Sequence, residues 1–335
     1  MVKLSVLDQS PIPKDKTAAQ ALADTARLAQ ETETLGFHRF WVSEHHFTSS
    51  LAGSSPEVLI SHLGAKTSRL RIGSGGVMLP HYSAYKVAEN FKVLEGLYPN
   101  RIDLGLGRAP GGMPLATQAL QEGKMTNIDQ YPGQLDDLMT YTYDLADDNH
   151  RFRGLKATPQ LETTPEMWLL GSSGGSAMLA AQRGAGYAFA QFINGEGGAE
   201  IVRWYQNRFQ PSIINDQPQT LVAIFAICGE TEDEAERLAS ALDLSLLLIE
   251  KGERKKAPSV EDAMNYPYSP YDRYRIQENR KRMIVGTKDK VKEQMTALSQ
   301  LYNTDELMLV SLIPDIEAKI NSYRLIAEAF ASEME

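Results

Sequence analysis

The sequence predicts an α/β fold, a closed (β/α)8 TIM barrel formed as one domain over residues 1–335. Three observations carry that prediction. Eight short apolar runs occur along the chain, and nearly all of them are followed by a stretch with helical period. The runs are mostly continuous rather than alternating, as expected of parallel strands buried on both faces. Titratable and small polar residues bunch just past the ends of two of the runs, where barrel enzymes keep their chemistry. A doubly wound sheet is the alternative, but no dinucleotide-type glycine turn follows the first strand.

The first strand is read at residues 4–7, closed by Gln9-Ser10-Pro11-Ile12-Pro13. A helix follows over 17–35, with Ala18, Leu22, Thr25 and Leu28 on one face and Gly36 as its stop. The second strand, 39–43, runs into Glu44-His45-His46, and Ser55-Pro56-Glu57 opens the next helix with Ser55 as its expected cap. The third strand spans 70–79, is interrupted by Gly75-Gly76 and stops at Pro80. After a helix at 84–97 comes the fourth strand, 102–107, and then a Gly/Pro/Gln-rich connection over 108–130. Trp168-Leu169-Leu170 forms the fifth strand, 187–192 the sixth and 221–227 the seventh. A helix at 232–250 leads into residues 251–282, rich in charge, Pro and Tyr, which read as a mobile excursion and a candidate active-site lid. The eighth strand, 306–310, is followed by a helix at 315–330.

Composition narrows the function classes. A net charge of −9 argues against nucleic-acid or anionic-membrane partners, which would require a basic surface. The cluster Lys251, Arg254, Lys255, Lys256 is short, lies beside acidic residues and reads as a solvated loop. With one cysteine, Cys228, inside an apolar strand, neither an intramolecular disulfide nor a multi-thiolate metal site is available. The chain starts on a strand instead of a secretory leader and has no bilayer-length apolar run, so a cytoplasmic location is expected.

Two segments carry the chemistry. Phe40-Trp41-Val42 delivers Glu44, His45 and His46 at a strand's carboxyl end, poor material for a core. Adjacent residues there point to opposite sides, which argues against one shared metal ion, and no metal site is expected. The second segment is Gly171-Ser172-Ser173-Gly174-Gly175-Ser176, small residues and hydroxyls opening a helix, the build of a phosphate cradle. Together they suggest an enzyme holding a phosphorylated cofactor. His62 is read as structural, and His81 is left open.

Glu44-His45-His46-Phe47-Thr48, the run from Arg71 through Gly75-Gly76 to Pro80, Arg101-Ile102-Asp103-Leu104-Gly105-Leu106-Gly107-Arg108 and Ile284-Val285-Gly286-Thr287 stand in a fairly specific order and spacing. In these segments the chain resembles the bacterial luciferase-like family of flavin-dependent monooxygenases, its single-chain alkanal monooxygenase-like branch above all. The resemblance implies a barrel that binds reduced flavin mononucleotide (FMNH2) and reacts with O2 through a flavin peroxide. A small organic substrate, an aldehyde among the candidates, would then be oxygenated. It assigns His45 as the active-site histidine, with Glu44 orienting it or lining the flavin pocket and His46 further out. A near-neutral His45 would exchange a proton with the peroxide oxygen. Gly75-Gly76 aligns with a non-prolyl cis peptide under the flavin ring in relatives; a β-bulge reads equally well from the residues alone. Gly171, Ser172, Ser173 and Ser176 would hold the FMN phosphate, and Arg108 would supply the compensating charge. Luciferases carry an acidic residue where this chain has Ser172, a departure that favours phosphate. The resemblance further implies a separate NAD(P)H-flavin reductase and a homodimer. Its rivals are an F420-dependent oxidoreductase of the same superfamily and a non-catalytic flavin-binding protein.

Overall fold

This computed structural model describes residues 2–109, 114–122, 128–146, 150–253 and 255–331. Among the described residues, ten parallel strands follow in chain order: β1 (Lys3–Asp8), β2 (Arg39–Val42), β3 (Arg71–Ser74), β4 (Val77–Met78), β5 (Ile102–Gly107), β6 (Glu166–Gly171), β7 (Gly186–Ala190), β8 (Thr220–Cys228), β9 (Met283–Gly286) and β10 (Glu306–Val310). Each strand pairs with its neighbour, and β10 pairs with both β8 and β1, which closes the barrel. β3 and β4 both pair with β5 and form one stave broken at Gly75-Gly76, so the closed barrel has eight staves, as the sequence predicts.

The ninth strand is the main departure. β8 is long enough to pair with β10 through Val222–Phe225 and with β9 through Phe225–Cys228, so β9 extends the sheet at the carboxyl end. It lies just after the 251–282 excursion, which itself contains two helices, Val260–Met264 and Pro270–Arg280. Each helix begins with a reciprocal capping box, Ser259 with Asp262 and Ser269 with Asp272. Their apolar content is too low for a periodic signal, yet Ala263, Tyr266 and Tyr268 pack on Leu244, Leu247 and Leu248 of the helix Glu232–Glu250. Arg254 of the basic cluster lies outside the described residues. So do 110–113 and 123–127 of the 108–130 connection, which elsewhere carries the helix Pro114–Leu120.

Smaller differences have local causes. Thr17 and Gln20 form a capping box for the helix Ala18–Thr34, and Gly36 leaves it at φ +82°, the stop expected of glycine. Ser55 occupies the cap position before Pro56–Lys66, but its side chain makes no capping bond. β7 ends at Ala190, two residues earlier than its apolar run, because Gln191 and Ile193 turn back to the carbonyls of Phe189 and Ala190.

Inside the amino end of the barrel, charges fill the space that apolar layers occupy elsewhere. Arg39 Nε donates to Glu306 Oε1 at 2.6 Å, and its Nη1 donates to Asp103 Oδ2 at 2.8 Å. Asp103 also accepts from Trp41 Nε1 at 2.8 Å and Arg71 Nη2 at 2.6 Å, and Ser5 Oγ donates to Glu306 at 2.6 Å. Burial pushes the Asp103 carboxyl up, but Arg39, Arg71 and Trp41 outweigh it and hold the group below its ordinary range.

Candidate active site

The carboxyl end of the barrel holds a cavity of about 280 Å3, near the small end of the ~300–1,000 Å3 common for ligand sites. Glu44, His45, Gly75, Gly76, Arg108, Gly171, Ser172, Ser173 and Ser176, singled out from the sequence, line it, while His46 lines the neighbouring cavity. That neighbour is larger, about 630 Å3, and Gln9, His45, Phe192 and Ile193 line both.

Glu44 is fully buried and its carboxylate is used three times. It accepts from the Met78 backbone N–H at 2.9 Å and the Tyr82 hydroxyl at 2.7 Å, and it meets His46 Nε2 at 2.7 Å. Burial and the Glu44 bond push the Tyr82 phenol well up, so it stays protonated as a donor. The partner of Glu44 is thus His46, not His45. The reason is alternation: in an extended segment, side chains two residues apart share a side, and their neighbour faces the other way.

His45 is positioned by different groups. Its N–H donates to the Gly53 carbonyl at 2.9 Å, and its ring Nδ1 lies 3.0 Å from Ser43 Oγ. Burial, with a smaller contribution from His46, pushes the imidazole down to about 4. The near-neutral value expected from sequence is therefore displaced, and His45 is a neutral imidazole at physiological pH.

The Gly75–Gly76 peptide is cis. Close approach explains the glycines: a Cβ on Gly75 would lie 2.6 Å from Leu7 Cδ1, and one on Gly76 would lie 2.8 Å from the Gly105 carbonyl oxygen. The result is a stretch of bare backbone in the cavity lining.

In the same lining, Ser172, Ser173 and Ser176 bring the N-terminus of the helix Gly174–Arg183 to the cavity. Ser173 stands at the cap position but makes no capping bond, so its hydroxyl does not consume the helix's free N–H groups. A Cβ on Gly171 would lie 2.7 Å from Ser176 Cβ, and one on Gly175 would lie 3.2 Å from Arg108 Nη1. Arg108 is therefore stacked against the opening of this helix. Among the described residues it has no carboxylate partner, so a guanidinium and a helix N-terminus converge without an anion of the protein between them.

Several residues were not singled out from sequence. Ser43 and Tyr82 are signalled only by their distance to His45 and Glu44, and Tyr82 is 38 residues from its partner. His81, left open, is buried, with its ring near those of His46 and Tyr82, while His62 sits exposed on the helix Pro56–Lys66. Cys228 is buried and its thiol is pushed up to about 12, an unreactive strand residue. No helix among the described residues is long and apolar enough to cross a membrane.

Comparison with known proteins identifies the family. The family model described as luciferase-like monooxygenase matches residues 2–304. An uncharacterised Bacillus subtilis protein, YwcH, is 59% identical over 332 residues, covering 99% of this chain and all of that one. The N-acetyl-S-alkylcysteine monooxygenase of the same organism is 38% identical over 330 residues, 98% of each chain. Among solved structures, apo-MsnO8 superimposes with a TM-score of 0.90 at 36% identity and covers 99% of both chains.

Proposed function

Because this chain belongs to the luciferase-like monooxygenase family, we propose that it binds reduced FMN at the carboxyl end of its barrel and oxygenates a small organic substrate with O2. The observation that carries this reading is the 280 Å3 cavity, whose lining combines a bare Gly75-Gly76 backbone, a helix N-terminus without a side-chain cap and an Arg108 that has no carboxylate partner among the described residues. A flat ring needs backbone that can come close, and a phosphate needs N–H donors and a cation. Both requirements are met within one cavity. When bound, the reduced flavin supplies the electrons that activate dioxygen.

The chain's own residues divide the remaining work. Arg108 and the N–H groups opening Gly174–Arg183 hold the phosphate, with Ser172, Ser173 and Ser176 within the same lining. Leu7, Trp41, Leu170 and Met308 make an apolar wall that keeps water from the reacting atoms. His45, neutral and held by Ser43, presents its ring to both cavities and can hold or move a proton at an oxygen placed there. Glu44 is a positioning residue: through the Met78 N–H, Tyr82 and His46 it fixes the backbone that follows Gly76.

No nicotinamide fingerprint was found in the sequence, so a separate NAD(P)H-flavin reductase supplies the reduced cofactor in this proposal, and two copies of the chain pair as a homodimer. F420 with hydride chemistry is disfavoured because its longer anionic tail asks for more cations, and Arg108 is the one among the described lining residues of the cradle cavity. The test is stopped-flow mixing of the anaerobic protein, loaded with reduced FMN, with oxygenated buffer. A near-ultraviolet transient in the wild type that is shortened or lost in His45→Ala supports monooxygenation. Reduced FMN that reoxidises as fast with protein as without it refutes the reading.

A further inference from the structure

The 630 Å3 cavity beside the cradle has walls of two kinds. Phe192, Phe225, Leu246 and Leu312 supply apolar lining, and Glu250, Glu253, Lys255, Lys256 and Arg282 supply charged lining. Sorting those charges by partner leaves an imbalance. Lys255 is matched by Glu253 at 2.6 Å. Glu250 is gripped by Arg275 at 2.9 and 3.1 Å and by Asn279 at 2.8 Å. Among the described residues, Lys256 and Arg282 have only neutral acceptors: Lys256 Nζ donates to the Lys16 carbonyl at 2.6 Å, and Arg282 donates to the Ile193 carbonyl at 2.5 Å and to Asn279 Oδ1 at 2.7 Å.

Arg282 is the more informative of the two. It is half-buried, and that burial makes its charge costly, with Glu250 offsetting the cost from a distance and Arg275 adding to it. A guanidinium has five N–H donors, and two neutral contacts orient the plane while leaving three unused. Arg282 immediately precedes β9, so it stands on the extended barrel wall rather than on a free loop. Its acceptor, Ile193, lines both cavities, as does His45. An anion held here would therefore sit within one side chain of the junction with the cradle cavity.

We propose that the larger cavity takes a substrate with an apolar body and a carboxylate end, the carboxylate received by Arg282 with Lys256 as a second positive charge. The assignment rests on the flavin reading above, since it makes this cavity the substrate side of the same site. Planar bidentate pairing suits a carboxylate to the three remaining N–H groups, and the apolar wall accepts the chain.

The test is calorimetric titration of the full chain, without flavin and at low salt, with octanoate, octan-1-ol and octylamine. Octanoate is expected to bind at least about tenfold more tightly than octan-1-ol, and octylamine more weakly than either. Arg282→Gln should erase the octanoate preference while octan-1-ol binding stays the same, and Arg282→Lys should keep part of the preference. Thermal melting of each variant checks folding. The proposal is overturned if the wild type binds octanoate no more tightly than octan-1-ol, or if Arg282→Gln weakens both alike. Reduced FMN titrated into the same proteins keeps the two readings apart. Loss of flavin binding with octanoate preference intact counts against the cofactor, and the reverse counts against the substrate class.

Discussion

The two ends of this barrel use buried charge in opposite ways. At the amino end, Arg39, Arg71, Asp103 and Glu306 satisfy one another within hydrogen-bond distance. At the carboxyl end, Glu44 is spent on positioning, His45 is kept neutral, and Arg108 faces a helix N-terminus with no carboxylate partner among the described residues. In a closed network each charge is matched, so removing one partner is costly, whereas an open charge is available to a ligand. The same strands carry both: Arg39 begins β2, and Ser43 to His46 follow its end.

The contrast can be broken most severely at the amino end. Arg39→Met strips Glu306 of its cation and Asp103 of one of its two, and should cost about 3–5 kcal/mol in urea unfolding. A loss below about 1 kcal/mol would mean that the network is not what holds that end closed. His45→Ala should leave the fold intact yet lower oxygenation by about 10²-fold with reduced FMN affinity little changed, checked by turnover coupled to an added flavin reductase.

The neutral state of His45 has a pH signature. Its folded value, about 4, lies below the ordinary 6.5, so between those values the unfolded chain binds more protons than the folded one. The associated stability is complete above pH 6.5 and is lost as pH falls toward 4. Wild type should lose up to about 2 kcal/mol more than His45→Gln between pH 7 and pH 5, measured by urea midpoints at the two pH values. Equal losses would show that His45 is not held neutral. The smallest effect belongs to Ser173→Ala: within about 0.5 kcal/mol in stability, since no capping bond is lost, but a few-fold weaker binding of reduced FMN in an anaerobic titration.

The carboxyl end was much more legible in the sequence than the amino end. Glu44-His45-His46 and Gly171 to Ser176 are local clusters, and a barrel topology alone brings their strand ends together. The Arg39–Glu306 bond spans 267 residues between two unremarkable strand starts, and nothing local marks either as buried. β9 was missed for a related reason: Met283–Gly286 is four residues long and follows a polar helix, so its strand character depends on the long edge of β8. Arg282 beside it carries no sequence signal and acquires meaning only from the carbonyl it holds and the cavity it faces.

The most direct test of the proposed phosphate site at Arg108 compares two flavins. In anaerobic titrations, reduced FMN and reduced riboflavin share the ring and differ in the phosphate. The account predicts that wild type prefers reduced FMN and that Arg108→Ala weakens it by about ten- to a hundredfold while riboflavin binding is unchanged. Equal affinity of the wild type for the two flavins, or an equal loss of both in Arg108→Ala, would contradict it.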